Sequence, residues 1–226
     1  MPSLFQQALG ADFAKLHPQM QRRFGISSRD QLAVVGRGVM KRIWLKGSWL
    51  RPFLAVASRR HLLVPRAGER IPFMIENYAY TDSFGRETLT FARTFQFADR
   101  KVHFDATMIY SEARQSVVDY LGLHQDIAAD ILLSVEPNGG LRLRSGAQRL
   151  VGWGASMPLP AVCTGHADVC EWYSEEEGCF KVEVRVSHPL IGEMFTYEGS
   201  FQAEYMDVRP DQVPERVKPK RESRRE

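Results

Sequence analysis

One strand-like stretch of this 226-residue chain carries an arginine on its apolar face. In ETLTFARTFQF, residues 87–97, every second residue gives Leu89, Phe91, Arg93, Phe95 and Phe97 on one side. Thr88, Thr90, Ala92, Thr94 and Gln96 fall on the other, which is the two-residue period of a β-strand. An unpaired buried charge costs several kcal/mol (order of magnitude), so Arg93 needs a reason to be there. Three reasons are open: it pairs with a buried carboxylate such as Glu76, it snorkels to a rim, or it meets an anionic ligand. Phe91 and Phe95 would then supply the apolar lining that small-molecule sites place around a few polar groups. Tyr197, in the alternating FTYEGSFQAEY at 195–205, can add a hydroxyl on the matching face of a late strand, or be a core tyrosine whose hydroxyl reaches the rim.

The second constellation is HAD, residues 166–168, the one tight histidine–carboxylate group among six scattered histidines. On a strand His166 and Asp168 share a face, continued by Cys170 and Trp172, where they could contact a ligand, hold a metal or orient a general base. The competing reading is a surface pair with no chemistry. His17 precedes a proline, where it is expected to cap the last carbonyls of a helix. GRG at 36–38 begins a dinucleotide fingerprint, but Lys41 stands where the third glycine is needed. No Walker loop, GxSxG elbow or HExxH helix occurs.

The elements that must position these groups begin with helix. Leu4, Phe5, Ala8 and Leu9 have helical spacing, Gly10 turns the chain, and Asp12 is expected to cap a second short helix before Pro18. QLAVVGRGVMKRIWL reads as a strand or bent hairpin in which Gly36 and Gly38 permit close backbone approach. A helix near 50–62 follows from Leu50, Phe53, Leu54 and Ala57, with Pro52 in its first turn. From Ile71 onward the pattern predicts strands near 71–80, 86–97, 101–110, 129–136, 140–146, 161–173, 179–187 and 193–205. Turn signals such as EPNGG and SEEEG imply antiparallel hairpins. A long antiparallel β-meander must hide its edges, so the expected fold is α+β with a closed or half-open, calycin-like barrel. A helix-grip sheet is the alternative. No internal repeat occurs, and residues 1–207 read as one domain.

A hydrophobic content of 44% supports a real core and excludes disorder of the whole chain. The residues from 208 to 226 are basic, proline-rich and poor in apolar side chains, and are expected to be a disordered tail. They account for most of the net charge of +3, so nucleic acid is not the expected partner. Neither a cleavable leader nor a membrane span is legible, and the three cysteines form no CxxC pair, which together predict a cytoplasmic protein with reduced thiols.

ALGADFAKLHPQMQRRFG at 8–25, ARTF at 92–95, MPLPA at 157–161 and HPLIGEMFTYEGSF at 188–201 resemble a bacterial family, domain of unknown function 4166. Members of that family stand alone or behind dehydrogenase-like, nucleotide-binding domains. The resemblance therefore implies a small-molecule or lipid-related role and a dehydrogenase-like protein as a candidate partner. It brings no catalytic residues and no cofactor. The reading that these observations support is a binding module whose apolar cavity offers Arg93 to a small hydrophobic or anionic ligand, with Phe91, Phe95, Tyr197, His166 and Asp168 as further contacts. An acid/base enzyme of the same fold and a protein-interaction scaffold are the alternatives.

Overall fold

The computed structural model describes residues 2–46, 58–62, 64–152, 155–160 and 164–224. The chain opens with α1 (Leu4–Leu9), a 3-10 helix over Gly10–Lys15 and α2 (Pro18–Phe24). The strands that follow are β1 (Leu32–Leu45), β2 (Gly68–Thr81), β3 (Glu87–Gln96), β4 (Lys101–Ser111), β5 (Ser116–Leu121) and β6 (Ile127–Val135). Then come β7 (Leu141–Gly152), β8 (Ala155–Pro158), β9 (His166–Ser174), β10 (Cys179–His188) and β11 (Gly192–Asp207). The expected strands are present. Two more, β5 and β8, were not legible because each is short and lacks a long alternating run. The helix expected near 50–62 falls largely on residues 47–57, outside the described residues.

Neighbouring strands run β6-β5-β4-β3-β2-β1-β11-β10-β9-β7, and β6 also pairs with β7, so ten antiparallel strands close into a barrel with β8 added on the edge of β7. Closure pairs the edges of the meander and selects the calycin-like expectation over the helix-grip sheet. β1 and β11 approach closely at two glycines of β1. A Cβ on Gly38 would lie 1.9 Å from the Ser200 carbonyl oxygen, and one on Gly36 would lie 2.6 Å from the Phe201 ring. These glycines therefore allow the close approach expected of them. The β7–β9 seam is short, running only from Leu141 opposite Glu171 to Arg144 opposite Asp168. Beyond it, the Gln148 side chain donates to the Gly165 carbonyl across the gap.

One end of the barrel is stopped by the N-terminal helices. Ser3 caps α1 by accepting from the Gln6 N–H at 3.1 Å, while its own N–H donates to Gln6 Oε1 at 2.8 Å, a reciprocal capping box. The Ser3 hydroxyl also donates to the Phe24 carbonyl, which ties α1 to α2. Leu4, Phe5, Met20 and Phe24 join the barrel core, with the Phe5 ring 4.7 Å from Phe24 and 6.4 Å from Phe91. Asp12 caps no helix; it lies in the 3-10 turn and pairs with Lys15 at 2.7 Å on the surface. His17 starts a helix instead of ending one. It is the N-cap of α2, where Nδ1 accepts from the Gln19 N–H and Pro18 takes the first turn that its missing N–H suits.

The expectation of a disordered segment from 208 is corrected. Those residues are described through 224 and lie along the outer wall of β1–β3. Val213 and Val217 pack against Ala33, Tyr78, Tyr80 and Ala92, which form a second apolar cluster outside the barrel. Arg216 forks onto Glu76 at 2.7 and 2.8 Å, and Glu222 accepts from the Tyr80 hydroxyl and the Ser83 N–H. Composition misled because it counts only the tail's own few apolar residues, whereas Tyr78, Tyr80 and Ala92 were already waiting on the strand face. Deleting the residues after Asp207 uncovers that face and leaves the buried Glu76 without its guanidinium. The expected result is a loss of about 3 kcal/mol in urea unfolding, from two buried valines at ~1.5 kcal/mol each.

Candidate functional site

The inward positions of β3 are Leu89, Phe91, Arg93 and Phe95, the alternation read from the sequence. Arg93 projects into the barrel and lines a cavity of about 300 Å³, with its Cζ 4.9 Å from the Phe104 ring centroid and 5.3 Å from that of Phe91. Both rings are close enough to attract the cation through their quadrupoles. Nη1 is buried and finds no hydrogen-bond partner among the described residues. Glu76, the expected counter-ion, is one residue out of phase on β2. It faces the outer wall, where Arg216 takes it.

The cavity wall is largely apolar and draws on inward residues of many strands, among them Ile75, Met108, Ile127, Val182 and Phe195. Leu45, Leu62, Leu159 and Gly165 also line it. Its polar members beside Arg93 are Asp119, Glu171, Tyr197, Ser145 and Gln148. Asp119 belongs to β5, opposite Met108 of β4 and Ala129 of β6, with Val117 and Leu121 on the same inward face. Its Oδ1 is buried without a hydrogen-bond partner among the described residues. Loss of hydration pushes the carboxyl up to about 7, against the opposing pull of the Arg93 charge. Tyr197, on β11, packs at 5.5 Å from the Phe95 ring. Burial raises its hydroxyl, again opposed by Arg93.

Glu171 reaches the cavity from β9 and is held by a second inward arginine, Arg23 of α2, through a hydrogen-bonded ion pair. Arg23 is 2% exposed, with its Cζ 4.9 Å from the Phe201 ring. Its Nη1 and Nη2 have no hydrogen-bond partner among the described residues. The pair fastens α2 to the inside of the barrel where the helices stop it.

The structure brings Arg93, Phe91 and Tyr197 to the cavity. Phe95 is fully buried one step beyond, wedged between Phe73 and Tyr197, and does not line it. His166 and Asp168 are placed on the outside, because Ala167, Val169 and Glu171 are the inward residues of β9. His166 is exposed, and Asp168 accepts a bidentate fork from Arg142 at 2.8 and 2.7 Å, which holds its carboxyl below the usual range. Alternation separates the two faces of β9 without telling which is inside, so Glu171 is not singled out by its sequence. Asp119 was missed with its strand, because SVVDYL has apolar residues on both faces and carries little periodic signal. Among the described residues no cluster of three or more histidine, cysteine or acidic side chains could hold a metal. No helix among them is long and apolar enough to cross a membrane.

The chain is 30% identical over 204 residues to the uncharacterized protein YndH of Bacillus subtilis (strain 168), a match that covers 90% of this chain and 98% of that one. No solved structure matches it. The family model of domain of unknown function 4166 (DUF4166) matches residues 16–201, nearly all of the barrel together with α2, and the chain belongs to that family.

Proposed function

We propose that the barrel is a binding module for a small, mostly apolar molecule whose anionic head group meets Arg93. The observation that carries this reading is a guanidinium with a buried, unpartnered Nη1 at the wall of an apolar cavity. A buried donor without a partner is costly, and an anionic ligand would remove that cost while the apolar wall takes its body. The cavity also weighs against the scaffold reading, which calls for an interior filled by side chains. The expected cytoplasmic setting is retained, and the free thiols of Cys170 and Cys179 support it.

Thermal unfolding with a panel of fatty acids and other amphiphilic acids tests the reading. A ligand that binds only the native state at a hundredfold excess over its Kd stabilises by about 2.7 kcal/mol. Arg93→Leu is expected to fold with unchanged or slightly higher stability, since no carboxylate among the described residues forms an ion pair with it, and to lose the stabilisation by acids. Acids that leave the melting temperature unmoved at saturation, or that stabilise Arg93→Leu as much as the parent, would overturn it.

One observation favours the enzyme alternative. Asp119 titrates near neutrality inside an apolar cavity that also holds a cation, the condition for a general acid or base working beside a developing anion. Under that reading Asp119 moves a proton and Arg93 steadies negative charge. Turnover of a ligand found by the thermal screen, abolished in Asp119→Asn with binding retained, would establish it; binding without turnover would set it aside.

A further inference from the structure

Arg93 on β3 and Asp119 on β5 both face the cavity, and Arg93 Nη1 and Asp119 Oδ1 are buried there without a hydrogen-bond partner among the described residues. The remaining groups there that titrate or carry charge are Tyr197 from β11 and Glu171 from β9, the second already neutralised by Arg23 of α2. The described cavity residues of β1, β2, β4, β6, β7 and β10, and Leu62, are uncharged. Among the described residues, the charge of the empty space is therefore decided by the protonation of Asp119. With Asp119 ionised it balances Arg93, and an entering anion would meet a like charge in a medium that screens poorly. With Asp119 neutral, the cavity holds one uncompensated cation, and the Nη1–H of Arg93 and the carboxylic O–H are donors that no described residue satisfies.

We propose that the cavity takes a carboxylate-headed apolar molecule together with one proton, the carboxylate lying between the Arg93 guanidinium and the neutral acid form of Asp119. This deepens the binding reading and rests on it. A carboxylate has two acceptor oxygens, so it satisfies both donors at once and cancels the Arg93 charge. The proton comes from solvent and stays on the Asp119 oxygen that donates to the ligand; no bond other than that O–H is made or broken. Burial already holds Asp119 close to its protonated form at neutral pH, so uptake is easy, and a second carboxylate nearby raises its hold on the proton further, as in any pair of carboxylates sharing a site. A neutral amide behaves differently. Its N–H would donate to ionised Asp119 and its carbonyl would accept from Arg93, with no proton taken up.

Isothermal titration of the full chain with decanoate, decanamide and decanol, in buffers of different ionisation enthalpy, separates these cases. For decanoate at pH values above the Asp119 titration, about one proton is expected to be taken up per ligand, with affinity falling about tenfold per pH unit. Asp119→Asn, which cannot titrate, is expected to bind decanoate with neither proton uptake nor that slope. Arg93→Leu is expected to lose decanoate. Decanoate binding without proton uptake in the parent, or an unchanged pH slope in Asp119→Asn, would overturn the two-anchor proposal while leaving the binding reading in place. Binding of decanamide that is tighter than decanoate at neutral pH would do the same. Failure of all three ligands to bind would overturn the binding reading itself.

Discussion

Replacing Glu171 with leucine is expected to destabilise the protein by about 3–5 kcal/mol, the cost of leaving one partner of a buried ion pair alone. Arg23 and Glu171 have side chains only 1% and 7% exposed, and the pair joins α2 to the inner face of β9. Arg23 lies among the rings of Phe24, Phe180 and Phe201, which attract a cation but cannot accept the directed hydrogen bonds that a carboxylate does. With Glu171 gone, no described carboxylate remains to hold it. Arg23→Met with Glu171→Leu removes both charges and fills much of the same volume, so the double variant is expected to recover most of the loss. Urea unfolding of both single variants and the double completes the cycle. Additive losses would show that the two side chains are not coupled. Because Glu171 also lines the cavity, the single variant is expected to loosen the helical stop and to weaken any ligand-induced stabilisation with it.

Asp119→Asn is expected to raise stability above neutral pH and to flatten its pH dependence. In the unfolded chain Asp119 titrates at its ordinary value, 3.8; in the barrel burial pushes it up to about 7. Between those values the folded state keeps a proton that the unfolded state has released. Stability is therefore highest below the unfolded value and declines as pH rises towards the folded one. At about 1.4 kcal/mol per pH unit, the decline amounts to at most about 4 kcal/mol by pH ~8. Asparagine has the same shape and no charge to strand, so the variant is expected to lack this decline. Unfolding free energies measured in steps from pH ~4 to pH ~8 provide the check. A parallel decline in parent and variant would mean that Asp119 keeps an ordinary carboxylate's affinity for protons and that the cavity does not desolvate it.

Where the sequence was legible, the reason is local. Phe180, Val182 and Val184 of β10, like Phe91 and Arg93 of β3, lie on the side that strict alternation assigns, because a pleated strand leaves a side chain no other direction. In β9 the same rule gave the two faces correctly and could not say which was inside. Ala167, Val169 and Glu171 look no more buried in sequence than His166, Asp168 and Cys170, and a one-residue difference in phase exchanges them. β5 was lost because six residues bounded by polar turns carry little periodic signal, and Asp119 was lost with it.

The sequence by itself determined the long antiparallel meander, the close approach at Gly36 and Gly38, the helical opening, the family and an arginine on the inner face of β3. All of these follow from spacing, residue type or likeness within one stretch. Tertiary structure alone decided which end the helices stop, that the last residues cover Tyr78, Tyr80 and Ala92, and that Glu76 turns outward to Arg216. It alone brought Arg93, Asp119, Tyr197 and Glu171, from four strands, around one cavity. Barrel closure joins β6 to β7 and so curls strands that are remote in the chain around a shared interior. Distances across that interior depend on strand order, tilt and closure, none of which is written in the alternation of any single strand.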